Sequence, residues 1–92
     1  MRYEWDPKKA DANRRVHGVG FSDAVYVLED DFALTREDSD ADGEQRFVAL
    51  GVDATGTLLV VVYTFREPDI IRLISAWKAN KTQRTRYEKH RR

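Results

Sequence analysis

Few residue types in this chain can do chemistry, and most familiar sites are absent. It has no cysteine and only two histidines, His17 and His90, so there is no thiolate site and no His pair at ligand spacing, and no zinc is expected. Asp38, Asp40 and Asp42 alternate as in a calcium loop, yet Gly43 follows one residue too late for an EF-hand and no flanking helices are evident. That run reads as a solvated acidic loop. Neither a P-loop nor a G-x-G-x-x-G turn occurs, so no nucleotide is expected, nor any other cofactor or metal. What remains is positive charge suited to a polyanion, above all in "DIIRLISAWKANKTQRTRYEKHRR" at residues 69 to 92.

The 16 basic and 16 acidic residues cancel overall but are divided along the chain. Residues 29–44 hold 8 acidic and 1 basic residue, a balance of minus 7, whereas residues 66–92 hold 9 basic and 3 acidic, a balance of plus 6. This asymmetry suggests a basic surface for a polyanion and an acidic loop facing elsewhere. The plainer reading is that the two segments meet and neutralise each other, or that both are simply solvated.

A length of 92 residues with 41% hydrophobic content suits a single domain over 1–92 with one modest core, standing on packing because no disulfide is possible. The longest apolar run, "TLLVVVYTF" at 57–65, falls well short of the roughly 20 residues that span a bilayer. The start "MRYEWDPKK" lacks a signal peptide's apolar region. A cytoplasmic chain with no membrane segment is expected.

The elements that must position the charges are legible in turn. "RYEW" suits an edge strand. In "DPKKADANRRVHG", Asp6 suits an N-cap, Pro7 the first turn and Gly18 the C-terminal stop of a helix. "GFSDAVYVLED" predicts a second helix with Ser22 as its cap and Phe21, Ala24, Val25 and Leu28 as its apolar stripe. A short strand is expected around "FALTR", then an exposed acidic loop over 37–44. "EQRFVALGV" and "TLLVVVYTFR" flank the hairpin signal "DATG", and "DIIRLISAW" follows the break at Pro68, an antiparallel meander. Strict alternation in the last strand puts Ile71, Leu73, Ser75 and Trp77 on one face and Ile70, Arg72, Ile74 and Ala76 on the other. Arg72 then points from a mostly apolar face and demands a partner or a ligand. Asn80 and Gln83 resemble a capping box, so a basic C-terminal helix is expected over about 81–90.

The blocks "WDPKKADANRRVHGVGFSDA", "GEQRFVALG" and "RLISAWKANKTQRTRYE" resemble, in order and spacing, the signature blocks of BrnT-type toxins, from Tyr3 to about Glu88. Two positions depart from that pattern: Trp77 stands where the family is usually basic, and Gln83 where it is usually Glu. The first removes a candidate phosphate contact, while the second keeps a capping role. The resemblance implies an α+β fold similar to RelE-type toxins, with two N-terminal helices on an antiparallel sheet of about four strands and a C-terminal helix. It also implies the toxin of a type II toxin-antitoxin pair, a metal-independent endoribonuclease that inhibits translation and growth. Its partners would be an RNA substrate and a neutralising BrnA-type ribbon-helix-helix antitoxin, with DNA reached only through that antitoxin.

Cleaving RNA without a metal requires a base for the 2′-hydroxyl, positive charge on the phosphorane and an acid for the 5′-oxygen. Arg46, Arg72, Lys78 and Arg84 match the family's blocks and are candidates for the charge, since Arg presents a planar fork to phosphate oxygens. Lys81 and Arg84, with Tyr87 three residues after Arg84 on the same helical face, are candidate RNA contacts, the tyrosine by stacking or through its hydroxyl. Their plainer readings are solvated surface, ion pairs with the acidic loop, pairing of Arg46 with Glu44, and Tyr87 as a core anchor. His17 lies four residues after Asn13 near a helix C-terminus, where the dipole favours its protonated form and so suits an acid more than a base. Alternatively, Asn13 and His17 bind backbone groups at a tight helix junction. Glu44 is the other candidate base, unless it merely ends the acidic loop. His90 falls in an expected disordered end, and Arg91 and Arg92 read as a frayed tail. Against the enzyme stand a noncatalytic RNA-binding module and a protein-interaction module whose acidic loop meets a basic partner.

Overall fold

Local sequence signals set the helix ends. In the computed structural model, which describes residues 1–38 and 43–91, helix α1 (Pro7–His17) starts where the Asp6 side chain accepts the Lys8 N–H at 2.9 Å. It stops where Gly18, at φ 70°, donates its N–H to the Arg14 carbonyl, a left-handed turn that glycine adopts without strain. Helix α3 (Lys81–Arg91) opens on a reciprocal capping box, with Asn80 N–H to Gln83 Oε1 and Gln83 N–H to Asn80 Oδ1 both at 2.8 Å. His90 and Arg91 therefore belong to the helix rather than to a frayed end, and the Arg91 guanidinium sits 5.5 Å from the Phe32 ring centroid. Arg92, Asp40 and Asp42 lie outside the described residues, as does much of the loop expected over 37–44.

The second helix is shorter and tighter than its sequence predicts. Helix α2 (Phe21–Ala24) is a single turn capped by Gly20, not by Ser22, and runs on as a 3-10 segment, Val25–Glu29. With three residues per 3-10 turn, Phe21, Ala24 and Val27 line up and are buried, while Val25 and Leu28 of the expected stripe are half-buried at its border.

The sheet holds five strands in the order β1-β5-β4-β3-β2: β1 (Arg2–Glu4), β2 (Leu34–Glu37), β3 (Phe47–Val52), β4 (Leu58–Arg66) and β5 (Ile70–Lys78). Strands β3 to β5 form the expected antiparallel meander and β2 extends it, whereas β1 pairs with β5 in parallel, making the sheet mixed and larger by a strand than the resemblance implies. Only three residues of β1 pair and no hairpin ties them to β5, so nothing local signals the partner or its direction. One face, the inner, packs Ala49, Leu59, Val61, Tyr63, Ile71, Leu73 and Ala76 against Val19, Phe21, Ala24 and Val27. On the outer face Leu50, Leu58 and Val60 meet Tyr87 of α3.

A bulge overturns strict alternation in β5. Val62 pairs with Ser75 but Tyr63 with Leu73, leaving Ile74 as an extra residue. Ala76 thereby joins Ile71 and Leu73 on the inner face, and Trp77 turns to the outer face, which Arg72 already occupies.

Helix α3 is latched to the body by one carboxylate. Asp30 accepts the Tyr87 hydroxyl at 2.6 Å and the Val52 N–H at 3.0 Å through Oδ2, and the Phe32 N–H at 2.9 Å through Oδ1. Gly51 makes the approach possible, since a Cβ there would stand 2.9 Å from Oδ2. Burial pushes the Asp30 carboxyl up, but these donors together with the Arg91 charge hold it below its ordinary 3.8. Burial and the facing carboxylate push the Tyr87 hydroxyl up to about 12. The Tyr87 contribution is therefore full below pH 10.0 and lost as pH rises through about 12, while that of Asp30 is full above pH 3.8 and lost as pH falls through its depressed folded value. Tyr87→Phe is expected to cost about 1.5–3 kcal/mol at neutral pH in urea unfolding, the range for a hydrogen bond to a charged group. The gap from wild type should narrow between pH 10 and pH 12; a flat difference across that window contradicts the latch.

Candidate nucleic-acid interface

On the outer face, away from α3, the strands bring charged residues to one level. Arg72 of β5 pairs in register with Thr64 of β4 on one side and with Glu4 of β1 on the other. Thr64 is buried and donates its hydroxyl to the Gln45 carbonyl at 2.6 Å. The β3–β4 ladder reaches Phe47 and Tyr63, and one further step places Arg46 opposite Thr64. Continued by that step, the row runs from Arg46, just ahead of β3, through Thr64 and Arg72 to Glu4 on β4, β5 and β1. Adjacent strands lie about 4.8 Å apart, so the two arginines stand about 10 Å apart at their backbones, on either side of Thr64.

Their electrostatic states differ. Arg72 is ion-paired through Nη1 to Glu4 Oε2, with both side chains partly exposed, so a partner meets the demand its sequence position raised. Arg46 has no ion pair among the described residues, and its Nε is buried without a hydrogen-bond partner. A buried guanidinium N–H left unpaired is costly, and a phosphate oxygen is the acceptor its geometry suits. In the next row Glu44 pairs with Arg66 at 3.0 Å, not with Arg46. Arg36 on β2, in register with Val48, adds a further exposed cation to the same face.

The other candidates lie elsewhere. Lys78 is six residues beyond Arg72, about 20 Å along an extended strand. There Lys78 lines a groove together with Val16, His17 and Trp77, and the His17 ring centroid is 5.9 Å from that of Trp77. Lys81 and Arg84 are exposed on α3, where Lys81, Arg86 and Lys89 make a basic ridge. Tyr87 is buried with its hydroxyl on Asp30, so the anchor reading describes its place and the ring does not face solvent for stacking. Asn13, not His17, bonds the backbone at the helix junction: its amide donates to the Val19 carbonyl at 3.0 Å and to the Ala76 carbonyl at 2.8 Å. Sequence reasoning missed Glu4, Arg36, Thr64 and Arg66. Arg66 and Thr64 share a strand face by simple alternation, which was the available signal; Glu4 had none, because the parallel β1–β5 pairing is non-local.

A family model described as the ribonuclease toxin, BrnT, of type II toxin-antitoxin systems matches residues 5–83. The chain belongs to the BrnT family. It is thus a ribonuclease toxin of a type II toxin-antitoxin system, an endoribonuclease with an RNA substrate and an antitoxin partner. Among solved structures, the Brucella abortus ribonuclease toxin BrnT is similar in fold, with a TM-score of 0.69 at 22% identity, over 88% of this chain and 99% of that one. No curated protein sequence matches. No helix among the described residues is long and apolar enough to cross a membrane, and no group of three or more His, Cys, Asp or Glu among them is placed to hold a metal ion.

If Arg72 contacts RNA phosphate, Glu4 competes for its guanidinium. Glu4→Gln is therefore expected to tighten binding of a 2′-deoxy oligonucleotide several-fold at low salt, read by fluorescence anisotropy, because it raises the net charge of the row by one. Unchanged or weaker binding would show that Arg72 is not an anion contact.

Proposed function

We propose that the arginine face of the sheet is the ribonuclease centre, and that it works without a metal. Arg46 carries this reading: its buried Nε lacks a partner among the described residues, and it stands across β4 from a second arginine. In this reading Arg46 and Arg72 bind the scissile phosphate and stabilise the charge that develops on the phosphorane through their planar guanidinium forks, Arg72 as it exchanges Glu4 for phosphate and Arg46 as its buried Nε turns toward the ligand. Glu44, in the adjacent row, is the carboxylate set to take the 2′-hydroxyl proton once RNA phosphate draws Arg66 away from it. Lys81 and Arg84 on α3 add longer-range attraction for the RNA strand. Lys78 and His17, about 20 Å along β5 from Arg72, do not reach the same phosphate and stand outside this centre.

Cleavage at this face would inhibit translation and growth until a BrnA-type ribbon-helix-helix antitoxin binds the toxin, with DNA contacted only by the antitoxin. An RNA substrate and a protein antitoxin favour a cytoplasmic place of action.

Arg46→Ala and Arg72→Ala are each expected to lower RNA cleavage by about 10²–10³-fold, the loss typical of removing one donor to transition-state charge. Arg46→Lys should recover little of it, since an ammonium cannot reproduce the fork. Gel-based cleavage of a defined RNA by folded variants reads this out. Retained activity in the double variant would move the centre away from this face.

A further inference from the structure

The groove at the far end of β5 is not used by the chemistry proposed above. Strand β1 pairs only with Ile70, Ile71 and Arg72, so beyond Arg72 the edge of β5 has no strand beside it. Helix α1 flanks it there, and two adjoining depressions that share Val16 and His17 form one trough along this edge. Its floor is mainly apolar, with Ala12, Val16, Ile74 and Trp77 beside Asn13 and Ser75, and Val16 is 74% exposed. Its rim carries Lys9, His17 and Lys78. No carboxylate lines either depression, and none of these cations forms a salt bridge among the described residues.

We propose that this trough is where the antitoxin docks, through an acidic amphipathic helix. This deepens the reading above, because it takes the occupant to be that reading's antitoxin. Two observations select a helix over a strand or RNA. The outward backbone of Ala76 is already satisfied by Asn13, whose Nδ2 donates to the Ala76 carbonyl at 2.8 Å and whose Oδ1 accepts the Ala76 N–H at 3.0 Å. An added strand would have to break both buried bonds, whereas a helix needs only side-chain contacts. Asn13 and Ser75 in the lining already hydrogen-bond to each other and, through Asn13, to the backbone; the rest of the floor is aliphatic apart from the Trp77–His17 pair, and exposed aliphatic surface rewards burial by an apolar partner rather than by phosphate and base. The unpaired cations of the rim then set the sign of the partner's polar flanks.

Val16→Arg and Lys9→Glu test this, since both are exposed on α1, and an acidic residue in its first turn or a basic one in its last suits the helix dipole. Binding of the antitoxin by titration calorimetry is expected to weaken by about tenfold or more in each variant. RNA cleavage by each free variant should match wild type. Wild-type antitoxin affinity in both variants overturns the proposal. Loss of cleavage with intact antitoxin affinity also overturns it, by assigning the trough to RNA. The ribonuclease reading fails separately, by the absence of cleavage from wild-type protein, and antitoxin affinities remain readable in that case.

Discussion

The side-chain amide of Asn13 holds the most consequential strand in place. Besides its two bonds to Ala76, it donates to the Val19 carbonyl and accepts the Ser75 hydroxyl at 3.1 Å, so one buried residue joins α1, the turn into α2 and β5. A residue without those atoms would leave buried backbone groups unpaired, at about 1–3 kcal/mol for each. The clamp falls just past the bulge at Ile74, where the strand changes which residues face inward. It therefore fixes the part of β5 that carries Trp77 and Lys78, while the pairing with β1 and β4 fixes the part that carries Arg72. Both candidate surfaces are placed by this one strand.

Charge is arranged around that frame with a division of labour. The acidic and basic segments do meet, as Glu44 with Arg66 and as Asp30 near Arg91, so part of the asymmetry is neutralised within the fold. The remainder is sorted by location. Arg36, Arg46 and Arg72 share the outer face, Lys81, Arg86 and Lys89 line the exposed side of α3, and Lys9 and Lys78 flank the trough. Arg46 combines partial burial with a donor that has no partner among the described residues, which is why it weighs more than cations in open solvent.

Features encoded by neighbouring residues were legible in the sequence. The Asp6 cap, the Gly18 stop, the Asn80–Gln83 box and the Asp53–Thr57 hairpin, where Asp53 Oδ1 accepts the Thr55 and Thr57 N–H groups at 2.8 and 2.9 Å, each depend on groups a few positions apart. Features that depend on distant partners were not. Nothing near Ile74 announces an extra residue, so the faces of Ala76 and Trp77 were misassigned. Nothing near Glu4 announces Arg72, so the ion pair that satisfies that arginine was missed. The 3-10 tightening after Ala24 reflects where β3 and β5 lie, and the sequence stripe alone could not supply it. Trp77, the residue that departs from the family's basic pattern, is neither a simple core residue nor an isolated one: it packs beside the Leu50–Tyr87 cluster and against the His17 ring.

The proposed chemistry rests on phosphate meeting Arg46 and Arg72 on the open sheet face. Its most direct test follows the side-chain Nε–H resonances of the arginines by NMR while a noncleavable 2′-deoxy-substituted RNA is added. Arg46 and Arg72 are expected to shift together and saturate at one affinity, with the Arg46 Nε–H gaining protection from exchange. Shifts confined to α3, with Arg46 and Arg72 unmoved at saturation, would contradict it.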